Sequence, residues 1–459
     1  MNTAAHQAPP QHALVRTPTV PGWPLIGCLP ALAKDPAQFF VDCYRKYGPV
    51  FRMNVLGRPY VAIAGIEAAN FLGTRAGKDS LRSKEFWEGL VKEYGATRVL
   101  TGEDGESHKE LRDIMRHGYS KDALKGRYEQ LVQLTRRAIE RDWPLQRSVP
   151  VVEAMQYMVT EQLGTIVTGS APLEYIQDIR TMILYILNVL VTRQRPMILL
   201  KDPRYKKAKA RVFELGEKMI RDVAARAGKI PEDQRILVDD IYEAHLKTPQ
   251  IMPASDLIVS LTGPYVAGLD TVANTTAAIL YTVLKHPEVK ARVLQEVDTL
   301  FAEGNLENGD LLKRIPALQG AVMETMRLYP IAVAQMRTAT RDFVFEGHLI
   351  RKGEMVYIAT SVPHFMAEYF PDPKRFDIDR YSKARAEHMQ SGAYSPFGRG
   401  PHTCLGKSAA EILLPLTMAC LFHRLDLELD PPGYVLKTKT APTPGPAMDF
   451  KVRVKGYRH

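Results

Sequence analysis

What this sequence has little of narrows it quickly. Cysteine occurs only four times in 459 residues, at 28, 43, 404 and 420. In a chain this long, that spacing excludes a disulfide framework and points to free thiols in a reducing compartment. No apolar run approaches the roughly 20 residues needed to cross a bilayer; the longest, residues 182–191, stops at Thr192-Arg193. The opening residues, MNTAAHQAPPQHALVRTP, hold no apolar core of a secretory signal, so neither leader nor anchor is expected, and the protein is expected to be cytoplasmic. No glycine-rich loop joins a strand to a helix, which leaves dinucleotide binding without support. Zinc-knuckle spacing and an arginine-rich arm are missing too, so the net charge of +10 does not argue for nucleic acid. An acidic protein partner fits that excess better. No Ser/Gly linker, charge block or internal repeat offers a cutting point. Residues 1–16 read as a flexible tail and 17–459 as one domain.

What is present is mostly helix. Residues 17–30, TPTVPGWPLIGCLP, form a proline-stiffened strap. DPAQFFVDCYRKYG predicts a helix with Asp35 as N-cap, Pro36 in its first turn and Gly48 just past its end. VFRMNV and YVAIAG predict two strands around the turn LGRP. From about 104 to 300 the periodicity is helical, including a long apolar helix over 254–284. Beyond 330, FVFEG, HLIRKGEMVYIAT, LELDP and DFKVRV read as short strands between proline-rich turns. The expected fold is mainly α with a small β part.

One loop concentrates unusual chemistry: residues 395–406, SPFGRGPHTCLG. Gly398, Gly400 and Gly406 permit close approach of the backbone to a flat partner, while Pro396 and Pro401 stiffen it. Cys404 directly precedes a helical run, so free N–H groups are expected to stabilise its thiolate, as suits a metal ligand or a nucleophile. Zinc would need further Cys or His ligands nearby. A single thiolate on a loop shaped for a flat object suits an axial ligand to haem iron. Elsewhere, ETMRLYP places Glu324 and Arg327 one helical turn apart. AGLDTVANTT buries an acid–alcohol pair, Asp270-Thr271, in an apolar helix, an expensive placement without a purpose.

FGRGPHTCLG resembles the haem loop of the cytochrome P-450 family, Phe-x-x-Gly-x-[Arg/His]-x-Cys-x-Gly, at Phe397, Gly400, His402, Cys404 and Gly406. The resemblance runs from PGWPLIG near residue 21 to about 449, with the motifs in the family's order, and is to the soluble bacterial type. It implies the P-450 fold, with the haem between the long helix and the Cys-loop helix. It also implies haem b bound by the Cys404 thiolate, with Phe397 and Gly406 in the cofactor loop. Glu324, Arg327 and Arg380 (in FPDPKRFDIDRY) are implied as a structural triad beneath that loop. Gly268 is implied to leave room for dioxygen, Thr271 to hydrogen-bond where it is activated, and Asp270 to relay protons. His108 and Arg112 in HKELR, Arg337 in QMRTATRDF, and His402 are implied as partners of the haem carboxylates.

The implied activity is that of a monooxygenase inserting one oxygen atom from O2 into a hydrophobic small molecule: a fatty acid, terpenoid, steroid or polyketide. Residues 69–81, ANFLGTRAGKDSL, resemble sterol 14-demethylases, whereas GLDTV differs from their His-Thr version, so the substrate stays open. Electrons are implied to come from a separate acidic ferredoxin or similar donor, meeting a basic surface that includes Lys109, Arg116 and Lys407. The expectation is a monomer with at most peripheral membrane contact.

Overall fold

The computed structural model describes residues 14–459 apart from 194, 307–310 and 442. The first 13 residues of the expected tail lie outside the described residues. Its end is not free, because the Val15 N–H donates to the Gly347 carbonyl at 2.9 Å.

Helix α1 (Pro36–Tyr47) forms as its sequence dictates: Asp35 accepts from the Gln38 N–H at 2.9 Å, and Gly48 ends the helix with φ +80°. Strands β1 (Val50–Val55) and β2 (Arg58–Ala64) pair antiparallel across the predicted turn. They open a five-stranded sheet completed by β3 (Leu81–Arg82), β4 (Gln335–Ala339) and β5 (Met355–Ala359), in the order β1-β2-β5-β4-β3. The β2–β5 pair is parallel, with Val61 opposite Val356, and the other pairs are antiparallel. A parallel pair needs a long crossover, and here most of the helical protein is that crossover.

The helices that matter for the site are α2 (Lys84–Tyr94), α3 (Gly105–Arg116), α4 (Val151–Leu163), α5 (Ala254–Lys285), α6 (Pro316–Leu328) and α7 (Lys407–Arg424). Helix α5 runs through the largest apolar cluster and packs along α4, with α6 and α7 also against it. Its observed span matches the expected 254–284 to within one residue. It carries Pro264 in its interior and continues through it. Among the described residues, no helix is long and apolar enough to cross a membrane.

Candidate active site

The Cys404 loop is a closed turn. The Cys404 N–H donates to the Phe397 carbonyl (2.8 Å) and the Thr403 N–H to that of Gly400 (3.1 Å). Two glycines are required by conformation: φ is +71° at Gly398 and +76° at Gly400, and a Cβ on Gly400 would stand 2.5 Å from the Leu72 carbonyl oxygen. Gly406 has an ordinary φ of −77° as the residue opening α7, and a Cβ there would meet nothing closer than the Tyr119 ring at 3.7 Å. The thiol of Cys404 is accessible, although the loop lies against α7 and among packed elements. The sequence expectation that the thiolate is favoured needs correction. Burial pushes the Cys404 thiol above its usual range, and the Gly406 N–H and Arg112 oppose that shift without cancelling it.

Accessible surface reappears at the centre of α5. Ala267 is exposed and Val266, Gly268 and Thr271 are half-buried, while the same helix buries Leu261, Leu269 and Ala273 completely. A mid-length stripe of accessible surface on a core helix borders a cavity. Within that stripe, Thr271 donates its hydroxyl proton to the Ala267 carbonyl at 2.6 Å, the back-bond common for threonine in helices. Its neighbour Asp270 is 6% exposed and faces α4, where Gln156 Nε2 donates to its Oδ1 at 2.7 Å. Lys439, half-buried, stands within electrostatic reach of the same carboxylate. Gly268, implied to leave room for dioxygen, is close-packed on one side. A Cβ there would meet Leu163 Cδ1 at 2.6 Å, so the glycine serves the approach of α5 to α4 before it serves open space.

Cations without matching anions collect on one side. Among the described residues Arg337 is bonded only to neutral acceptors, the Met336 carbonyl (2.7 Å) and Gln335 Oε1 (2.9 Å), and burial lowers its pKa to about 10. Arg112 has neither hydrogen bond nor ion pair among the described residues, and burial lowers its pKa as well. His108, 4% exposed, lies with its ring centroid 4.3 Å from that of His402, and burial together with His402 and Arg112 lowers its pKa to about 4. His402 bonds to Asp104 at 2.9 Å and approaches Ser83 Oγ at 3.2 Å. Asp104 is the one carboxylate in this group. Burial alone would raise it, but His402 and the Ser83 N–H hold it below the usual range.

The structure brings Glu324, Arg327 and Arg380 together, each with a side chain 0% exposed. Arg327 grips Glu324 through two bonds of 2.7 and 2.8 Å, and Arg380 Nε donates to Glu324 Oε1 at 3.1 Å. Tyr381 adds a bond of 2.8 Å to the same carboxylate. Arg327 also donates to the His364 carbonyl, and His364 Nε2 accepts from the Ser395 N–H at 2.9 Å, where the cysteine loop begins. Burial beside Arg327 lowers the pKa of His364 to about 3, so the ring is neutral and its proton resides on Nδ1.

Sequence reasoning missed Gln156, Asp104 and His364. Only Gln156 left a trace, as a polar residue on the buried face of VVEAMQYMV. The basic surface at Lys109, Arg116 and Lys407 is weaker than its sequence implies. Each has an acidic helix neighbour: Glu106 at 3.1 Å, Asp113 at 3.7 Å and Glu411 at 3.8 Å.

Comparison with known proteins places this arrangement. Residues 18–447 match the family model described as Cytochrome P450. A sterol 14alpha-demethylase of Mycolicibacterium vanbaalenii is 36% identical over 167 residues, 36% of this chain and 37% of that protein. Cyclooctat-9-en-7-ol 5-monooxygenase of Streptomyces melanosporofaciens is 31% identical over 222 residues, 48% and 47% of the two chains. The chain thus spans between a third and a half of the length of these relatives. The structure of a retinoic acid-bound cyanobacterial CYP120A1 superposes with a TM-score of 0.82 at 22% identity, covering 96% of this chain and 99% of that one.

Proposed function

The chain belongs to the cytochrome P450 family, and from that premise we propose that it is a haem-thiolate monooxygenase acting on a hydrophobic small molecule. The observation that carries the reading is the accessible thiol of Cys404 on a glycine-bent loop, near a group of cations short of anions. Those residues fit haem b. Cys404 would offer a thiolate ligand to its iron, and Arg337, Arg112, His108 and His402 would offer donors for its two carboxylates. Haem bound there supplies an iron at which dioxygen is reduced and one of its atoms passed to a C–H bond.

The chain's own part is positioning and proton supply. Thr271 stands at the accessible stripe of α5, and Asp270, behind it, is the carboxylate that relays protons, held in place by the Gln156 amide of α4. Residues 86–94, 181–191, 257–267 and 331–336 supply a mainly apolar lining, which favours a lipid-like substrate such as a terpenoid, steroid, fatty acid or polyketide. The names of the two enzymes matched above, one acting on a sterol and one on a cyclooctatenol, are in keeping with that class. Electrons reach the site from a separate acidic donor of ferredoxin type, and the protein works in the cytoplasm.

The test is the optical spectrum of the reduced, CO-bound protein. Thiolate ligation gives a strongly red-shifted Soret band; a band without that shift overturns the assignment. One observation favours a second reading, an oxygen-independent rearrangement on the same haem. The Thr271 proton is engaged by Ala267 and Asp270 is turned to α4, so the pair is not aimed at the cavity. Thr271→Ala separates the two. For a monooxygenase, product per electron falls about a hundredfold, the lower end of the usual span for a lost proton-transfer group, and the missing electrons appear as peroxide. Product formed at the parent rate without O2 or reductant, by the parent and by Thr271→Ala alike, supports the rearrangement.

A further inference from the structure

We propose that Asp104 is a positioning residue that fixes His402 for the carboxylates of the cofactor, a role it performs instead of capping its own helix. The inference rests on the haem-thiolate reading above. Asp104 is the N-cap residue of α3, with extended backbone angles of φ −137° and ψ 165°, yet its side chain makes no capping hydrogen bond. An aspartate in that position ordinarily satisfies a free N–H of the first turn, a contribution of about 1 kcal/mol. Here the carboxylate is turned elsewhere. Its Oδ1 is 2.9 Å from His402 Nε2, and its Oδ2 accepts from the Ser83 N–H at 2.8 Å. Ser83 Oγ closes the triangle, 3.2 Å from His402 Nε2 and 3.4 Å from Asp104 Oδ1. One carboxylate therefore ties the start of α2, the start of α3 and the cysteine loop.

The chemistry of an imidazole makes this consequential. A histidine tied at Nε2 can no longer rotate freely, so the direction of Nδ1 is set by the partner on the opposite nitrogen. The ring of His108, 4.3 Å away, limits the remaining tilt. A carboxylate set among groups that must receive two more carboxylates would repel them if it stood alone. Its two oxygens are instead taken by His402 and the Ser83 N–H, and neither Arg112 nor Arg337 is hydrogen-bonded to it, which leaves both for the incoming anions.

Haem retention tests this without reference to turnover. The haem-loaded protein is mixed with excess apomyoglobin and haem transfer is followed optically. Asp104→Ser keeps a good N-cap residue but is too short to hold His402. It is expected to accelerate haem loss about tenfold, the lower end of the span for partners of ligating groups. Asp104→Asn, which keeps the shape but weakens the hold, accelerates it less. His402→Ala accelerates it on its own, and the double variant Asp104→Ser/His402→Ala loses haem no faster than His402→Ala. Rates within twofold of the parent for both Asp104 variants, or a double variant in which the two effects multiply, overturn the proposal. Failure of the haem-thiolate reading is distinguishable, because it appears in the unsubstituted protein as a CO complex lacking the red-shifted band.

Discussion

Cys404→Ser will fold, and its reduced CO complex will lack the red-shifted Soret band. The substitution exchanges one atom of an exposed side chain, so little stability is at stake in the chain itself. A serine hydroxyl can still accept from the Gly406 N–H, and the loop's own bonds, Cys404 N–H to Phe397 and Thr403 N–H to Gly400, involve only backbone. What disappears is the thiolate and with it the electron donation that favours O–O cleavage. Monooxygenase turnover should fall by about three orders of magnitude or more, equivalent to roughly 4 kcal/mol of barrier. The check is turnover per haem, measured beside the spectrum. A serine variant that keeps both the red-shifted band and the parent turnover removes Cys404 from the iron.

Glu324→Gln should be the most damaging substitution for the fold. Two guanidinium groups with no exposed surface share this carboxylate, and Tyr381 and the Asp377 N–H (3.1 Å) converge on it too. An amide keeps the volume but removes the charge, leaving Arg327 with backbone carbonyls for partners and Arg380 with carbonyls and Glu387 at 2.8 Å. Removing one partner of a buried ion pair costs about 3–5 kcal/mol, because the remaining charge stays buried. The path from Arg327 through His364 to Ser395 carries the disturbance to the cysteine loop. The variant is therefore expected to be purified largely free of haem and to melt well below the parent. Arg327→Lys should fail similarly, since an ammonium cannot make the two-pronged contact. Full haem content and an unchanged melting temperature in Glu324→Gln would show that the triad is not what holds the loop.

Much of this was legible in the chain, and the reasons differ by residue. The ends of α1 are written within a few residues, in Asp35, Pro36 and Gly48, so local chemistry decides them. The span of α5 follows from a mainly apolar helical pattern too long for any strand. The cysteine loop is readable because conformation demands glycine at 398 and 400 whatever surrounds them. Gln156 and Asp104 were not readable as site residues, since their partners lie 114 and 298 positions away. Spacing places Gly268 and Thr271 on α5 but does not say which neighbour each one meets. That is why Gly268 proved to face Leu163, and why Thr271 proved to be bonded to its own helix.

The parallel pairing of β2 with β5 bears on how the polypeptide is made. Val61, Ile63 and Ala64 emerge from the ribosome early, but their partners Val356, Ile358 and Ala359 follow about 295 residues later. At 5–20 residues per second, that apolar strand waits roughly 15–60 s for its cover. During synthesis, an open edge of β structure is thus presented to whatever else is nearby. Slower growth at lower temperature lengthens the wait while weakening apolar association. Fragments ending before residue 355 never acquire the cover at all, and their yield in soluble form is set by chaperones and not by the stability of the finished protein.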